Sequence, residues 1–316
     1  METKQKNAIK GALYGVAIGD ALGAPLEFMS AKEIVNRHGK VTEMIGGGWL
    51  NVSPGEITDD TQMTLAVAEG IIENPDNPIE AIGERFIAWA RSGPKDIGGT
   101  CSRSIYRAAR EGAKRPTEAA WFNASKDTAK SNGRRSGGNG ALMRTVYPGL
   151  YYQGRLMAVE TSAAIAQMTH WDDESNEACE LYTDMIHLLT EAVYKQPEAR
   201  SRIIDETLQG TRYQIDRLRH EKGDPEPTGY VVDSMECALA AFYSTNSFEG
   251  AIVEAANMGG DADTIAAITG GLAGAYYGYE AIPDRWIKSL EPDIRKQLDT
   301  LAEAAVANRA AKQKER

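Results

Sequence analysis

Residues 263–278, DTIAAITGGLAGAYYG, constrain the fold more than any other stretch of this chain. The segment reads as an apolar helix carrying Gly270, Gly271, Gly274 and Gly278. An interior glycine costs a helix about 0.5–1 kcal/mol against alanine, so the small residues need a compensating use. They let neighbouring helices approach closely, which puts this helix at the centre of the molecule, surrounded on all sides. Asp261 and Asp263 at its start are then carried into the interior, not left on the rim.

Helical periodicity runs through the rest of the chain. In NAIKGALYGVAIGDAL, Ile9, Leu13, Val16 and Leu22 recur near a 3.6-residue period, with Ala and Gly between them as in a buried helix. PIEAIGERFIAWARS (78–92) opens with Pro in the first turn and repeats apolar residues at Ile79, Ile82, Phe86 and Ala90. The same stripe marks 173–193 and 233–244. Period-two alternation is nearly absent, and KVTEMI (40–45) is at most a short strand. Breakers stand singly at GGGW, NPDNP and GDPEPTG, with no Pro- or Ser-rich linker and no fixed repeat. The expectation is one all-α domain of ten or more helices over 1–316.

The formal net charge of −10 argues against general nucleic-acid binding, although Arg134 and Arg135 leave a local basic spot for a small phosphate ligand. Cys101, Cys179 and Cys237 are odd in number and far apart, which fits neither a disulfide framework nor a CxxC metal site and points to a reducing cytoplasm. The N-terminus lacks a signal-peptide core, and no stretch has the length of a bilayer span. These features lead to a cytoplasmic protein without a membrane partner.

Two acidic clusters carry the chemistry. Asp59 and Asp60 precede TQMTLAVAEGI, and Asp261 and Asp263 precede TIAAITGGLAG. Either cluster alone is explained by helix capping, since Asp and Thr are favoured N-caps and carboxylates complement the helix dipole. One cap needs one side chain, however, and each cluster offers two carboxylates and a hydroxyl. Four like charges brought together repel and raise one another's pKa unless a cation neutralises them. Oxygen ligands without nearby His or Cys suit Mg²⁺, Mn²⁺ or Ca²⁺ better than Zn²⁺.

Other residues have two readings each. Glu27 follows the helix-breaking Gly23 and Pro25; it is either a solvated loop acid or a desolvated carboxylate suited to proton transfer. SNGRRSGGNGALMR (131–144) is Gly-rich and basic and leads into an expected helix. It is either a flexible connection or an anion nest at a helix N-terminus. His170, ending a helical stretch in MTH, reads as a C-terminal dipole partner or as a ligand contact.

Taken in order, GDALGAPLEF, TDDTQMTLAVAE, DIGGTC, GGNGALMR, MTH and GGDADTIAAITGGLAGAYYG resemble the ADP-ribosylglycohydrolase family, most closely its dinitrogenase-reductase-activating branch. The likeness covers about residues 8–280, and the paired TDDT and D-x-DT motifs are its most specific part. It implies an all-α orthogonal bundle with a binuclear Mg²⁺ or Mn²⁺ centre, usually monomeric. It also implies an enzyme that removes ADP-ribose from protein side chains, in this branch most often arginine. By the same resemblance Thr58, Asp59 and Asp60 are one set of metal ligands and Asp261, Asp263 and Thr264 the other, with Asp263 bridging. Glu27 is a base or gate beside the ribose, and Asp96 lies near the scissile bond, with Asp60 counted among the catalytic acids. Ser136, Gly138 and Asn139 would hold phosphates and ribose, His170 would touch the same ligand, and Tyr230 would line the pocket. Cys101 departs from the Thr frequent after DIGxT. Residues 198–222 match no motif and are a candidate for target recognition.

Such chemistry fits the residues. An N-glycosidic bond breaks through an oxocarbenium-like state that needs nearby negative charge and a positioned nucleophile. The alternatives are the same fold acting on serine-, nucleic-acid- or O-acetyl-linked ADP-ribose, a silent ADP-ribose-binding relative, or an unrelated metal phosphohydrolase.

Overall fold

The computed structural model describes residues 2–133, 136–191, 197–213 and 223–314. Those residues fold into helices α1 (Glu2–Gly23), α2 (Ala31–His38), α3 (Asp59–Glu73), α4 (Ile79–Arg91), α5 (Gly99–Ala108), α6 (Glu118–Asn132), α7 (Val146–Tyr151) and α8 (Arg155–Gln167). Then follow α9 (Asp173–Glu191), α10 (Pro197–Leu208), α11 (Val231–Ser244), α12 (Phe248–Asn257), α13 (Ala262–Tyr277), α14 (Asp284–Ser289) and α15 (Pro292–Lys314). Sheet structure among the described residues is limited to isolated bridges, including Ser30 with Gly259 and Gly138 with Tyr230. The expected all-α class holds. Among these residues no helix is long and apolar enough to cross a membrane.

Helix α13 is the axis of the molecule, as its glycines require. All of its residues from Ala262 to Ala275 are buried. It runs antiparallel to α1 at backbone contact. A Cβ built on Gly15 would lie 2.0 Å from the Gly270 carbonyl oxygen, and one on Gly274 would lie 2.0 Å from that of Gly11. The stripe continues at Gly19 against Ala266 and at Gly23 against Ala262. Glycine at four-residue spacing on α1 thus lets two main chains touch and sets the register between α1 and the start of α13.

Three local readings change. Pro78 is the N-cap of α4, one residue before the first turn. KVTEMI is irregular, because its backbone partner is a side chain: Val41 N–H donates to Asn257 Oδ1 at 2.9 Å, and Asn257 Nδ2 donates to the Val41 carbonyl at 2.8 Å. GGNGALMR leads only into a 3₁₀ turn, Leu142–Arg144, before α7, so a long helix dipole does not stand behind the glycine loop. Arg134 and Arg135 lie outside the described residues, as do positions 214–222 of the candidate target-recognition stretch.

Candidate active site

Where α1 stops decides where Glu27 goes. Gly23 abuts the first turn of α13, leaving no room for a Cβ beside the Ala262 carbonyl, 2.4 Å away. A 3₁₀ turn, Ala24–Leu26, then turns the chain across that helix start. Phe28 N–H donates to the Gly260 carbonyl, and Gly260 N–H to the Met29 carbonyl, each at 2.7 Å. Glu27 is thereby held beside Asp261 and Asp263, with ligand atoms of all three within 4.8 Å of one another. It is buried, and Trp49 Nε1–H donates to its Oε2.

The two acidic clusters meet. Thr264 Oγ1 on α13 donates to Asp60 Oδ2 on α3 at 3.2 Å. Capping does not account for them: Thr58 and Asp261 occupy the N-cap positions of α3 and α13, yet neither side chain caps its helix. Thr58 Oγ1 donates instead to Asp20 Oδ1 at 2.7 Å. Asp261 Oδ2 accepts from Asn139 Nδ2, also at 2.7 Å.

Asp20 is one of two site residues that the sequence pattern does not single out. It lies fully buried on α1, and its carboxylate accepts from the backbone N–H and hydroxyl of both Thr58 and Thr61. It therefore fixes the first turn of α3 from behind. The signal was available: an acid inside an otherwise apolar buried helix needs dedicated donors. Trp49, read only as part of a breaker, is the other.

Burial dominates the electrostatics. Desolvation, reinforced by neighbouring acids, holds Asp59, Asp60 and Asp263 well above the usual carboxylate range. Glu27 is pushed up to about 8, mainly by burial and against the Trp49 hydrogen bond. Burial also raises Asp96, against the Ile97 N–H its carboxylate accepts. Asp60 Oδ1 is buried with no hydrogen-bond partner. An orphaned carboxylate oxygen amid like charges fits a divalent cation, and so does the all-oxygen donor set. Thr58 adds to the fit: giving its proton to Asp20 leaves the hydroxyl lone pairs free.

Glu27, Asp59, Asp60, Asp96, Gly138, Asn139, His170, Asp261, Asp263 and Thr264 line one cavity of about 360 Å³, together with Phe28, Trp49 and Cys101. That volume is in the range of small-molecule sites, ~300–1,000 Å³. Three expected residues stand outside the lining. Thr58 is turned to Asp20, Ser136 faces the Ala129 carbonyl at 3.5 Å, and Tyr230 is exposed on the rim with its hydroxyl on Glu174. The glycine loop is clamped to the segment before α11: Asn139 N–H donates to the Gly229 carbonyl and Val231 N–H to that of Gly137. The Asn139 amide is therefore not free for an anion. Arg144, counted in the basic loop, is buried in the core and does not reach the cavity.

Comparison with known proteins agrees with this geometry. The family model described as ADP-ribosylglycohydrolase matches residues 1–315. The chain is 35% identical over 303 residues to the ADP-ribosyl-[dinitrogen reductase] glycohydrolase of Rhodospirillum rubrum, covering 92% of this chain and 94% of that protein. It is 31% identical over 312 residues to the ADP-ribosylarginine hydrolase Tri1 of Serratia proteamaculans, covering 96% and 80%. A solved structure titled ADP-ribosylglycohydrolase-related protein complex superposes with a TM-score of 0.78 at 30% identity, over 97% of this chain and 99% of that one. The chain belongs to the ADP-ribosylglycohydrolase family, enzymes that hydrolyse glycosidic bonds of ADP-ribose.

Proposed function

We propose that this protein is a divalent-metal-dependent hydrolase that releases ADP-ribose from modified protein side chains, with arginine as the linkage. The observation that carries the reading is the joining of two separate acidic motifs around an unpartnered, buried Asp60 oxygen in the cavity that Glu27 also lines. The linkage rests on the likeness to relatives of which one is named for ADP-ribosylarginine.

Thr58, Asp59, Asp60, Asp261, Asp263 and Thr264 would hold two Mg²⁺ or Mn²⁺ ions. When bound, such ions polarise ligand oxygens and activate water. The protein's own part is separable. The buried carboxylates stabilise positive charge developing at the ribose C1″ as its bond to the guanidine nitrogen breaks. Water adds at C1″ and a proton passes to the departing nitrogen. Glu27, hydrogen-bonded by Trp49, and Asp96 on the same cavity would take and return that proton, a contribution worth about 10²–10⁴-fold. The glycine loop and His170 would hold the phosphates and ribose; Asn139 ties that loop to Asp261, so ligand placement and the acid cluster are coupled.

Arg212 pairs with Glu174 and Glu177, and Glu174 also accepts from Tyr230, which links the 198–213 segment to the rim. A cytoplasmic location is in keeping with the three free, buried cysteines. The test is release of ADP-ribose from arginine-ADP-ribosylated and serine-ADP-ribosylated peptides in parallel. Release from arginine alone supports the reading; release from serine alone, or of phosphate without ADP-ribose, refutes it.

A further inference from the structure

Beneath the cavity lies a buried cation that the proposed chemistry leaves unused. Arg144 is fully buried, and its contacts are a carbonyl, a hydroxyl, two sulfurs and an aromatic face. Nη2 donates to the Ile165 carbonyl at 3.1 Å and to Thr169 Oγ1 at 2.6 Å. Nη1 faces Cys101 Sγ at 3.5 Å and Met63 Sδ at 3.7 Å, and the guanidinium lies over Phe86. Thr169 Oγ1 in turn sits 2.9 Å from Nδ1 of His170. We propose that Arg144 and Thr169 form a positioning relay that locks His170 in its neutral Nε2–H tautomer, giving the cavity a fixed, uncharged donor for a ligand oxygen.

Donors and acceptors around Thr169 Oγ1 fix the tautomer. A guanidinium only donates and does not lose its proton in proteins, so Thr169 Oγ1 must accept from Arg144. The hydroxyl then has one proton to place. If His170 Nδ1 were protonated, Oγ1 would accept twice and its proton would be left to the Cys101 thiol, a weak acceptor that also lies within reach. That arrangement also turns the positive end of the imidazole N–H towards the guanidinium. With the hydroxyl donating to Nδ1, Thr169 Oγ1 both accepts and donates and the imidazole lone pair faces the cation; of the buried atoms here only Arg144 Nε, which takes no part in the relay, lacks a partner. Burial and the Arg144 charge together disfavour the doubly protonated ring, holding it down to about 3.

The other edge of the ring is open to the site because the loop is glycine. A Cβ on Gly138 would lie 3.3 Å from His170 Nε2, and one on Gly140 would lie 3.3 Å from Cε1. Nε2–H therefore looks past two glycines into the cavity, where a ribose or phosphate oxygen can accept. That ligand identity rests on the proposed function; the relay does not.

Nitrogen-15 NMR of the histidine rings tests both parts. The chain has four histidines, and His170→Asn identifies the relevant signals by their loss. The expected wild-type pattern is an unprotonated Nδ1 and a protonated Nε2 that do not titrate between about pH 5.5 and 8. Thr169→Val should admit the other tautomer and weaken ADP-ribose binding by about tenfold, the worth of one hydrogen bond, and Thr169→Ser should restore both. A wild-type Nδ1–H ring, or a Thr169→Val ring with the wild-type pattern, overturns the relay. The expected tautomer in a protein that does not bind ADP-ribose overturns the ligand assignment and leaves the relay standing.

Discussion

Thr264 Oγ1 donates to Asp60 Oδ2 at 3.2 Å, across 204 residues of sequence. This hydrogen bond joins the first turns of α3 and α13, and so joins the two acidic motifs. It also orients Asp60, leaving its other carboxylate oxygen buried and unpartnered. Thr264→Val keeps the shape and removes the hydroxyl. Mn²⁺ affinity, read by calorimetry, is expected to fall by tenfold or more, in line with about 1.4 kcal/mol for a lost polar contact. Unchanged affinity would separate Thr264 from the metal site.

The α1–α13 contact sets where Glu27 and Asp263 stand. Gly15→Ala would place a Cβ 2.0 Å from a backbone oxygen that cannot rotate away. Chemical denaturation should show a loss of about 3 kcal/mol or more, the upper end of overpacking costs. Gly98→Ala, where a Cβ meets nothing within 4 Å, is the control and should cost under about 1 kcal/mol. Equal effects would mean that the close helix contact does not govern stability.

Phe28 carries a φ of 62° and is 69% exposed at the cavity mouth, its ring 5.3 Å from that of Trp49. A bulky residue in the left-handed region is strained, and its ring gains little by burial here. Phe28→Gly and Phe28→Ala both lose the ring, but only glycine releases the backbone. The glycine variant should be more stable than the alanine variant by about 1 kcal/mol. An alanine variant equal to or better than glycine would show that no strain is stored there.

His187 gives a pH dependence with a definite sign. Burial first, and Arg309 second, depress its pKa to about 4, and Arg309 Nη2 lies 3.3 Å from Nδ1. The unfolded chain binds this proton near pH 6.5 and the folded protein does not. Stability from the neutral ring is thus present above pH 6.5 and lost as pH falls towards 4. The stability difference between wild type and His187→Asn should change by about 1.4 kcal/mol per pH unit in that window. Taking the difference cancels the oppositely shifted carboxylates. A pH-independent difference would contradict the buried neutral histidine.

The parts of the site legible in sequence are those whose residues stand together at helix starts. Asp59–Asp60 and Asp261–Asp263 are local pairs, and their surplus over what a cap needs is visible without a structure. The central helix was legible because its glycines have a cost that only close packing explains. What the sequence did not disclose depends on long-range placement. Asp20 sits on α1, 38 residues before Thr58, which it holds. Trp49 reaches Glu27 across an irregular loop. Arg144 closes a Gly-rich, basic stretch, and its burial against Thr169 and two sulfurs appears only in three dimensions.

In the proposed function the two acidic motifs form one metal site. The decisive measurement is the number of Mn²⁺ ions bound at equilibrium to the wild type, Asp60→Asn and Asp263→Asn, with folding checked on each protein. The expected result is two ions per wild-type chain and weakened binding of both in either variant, although the two residues belong to separate motifs. No specific binding to the wild type, or loss of one ion in each variant while the other binds as before, would contradict it.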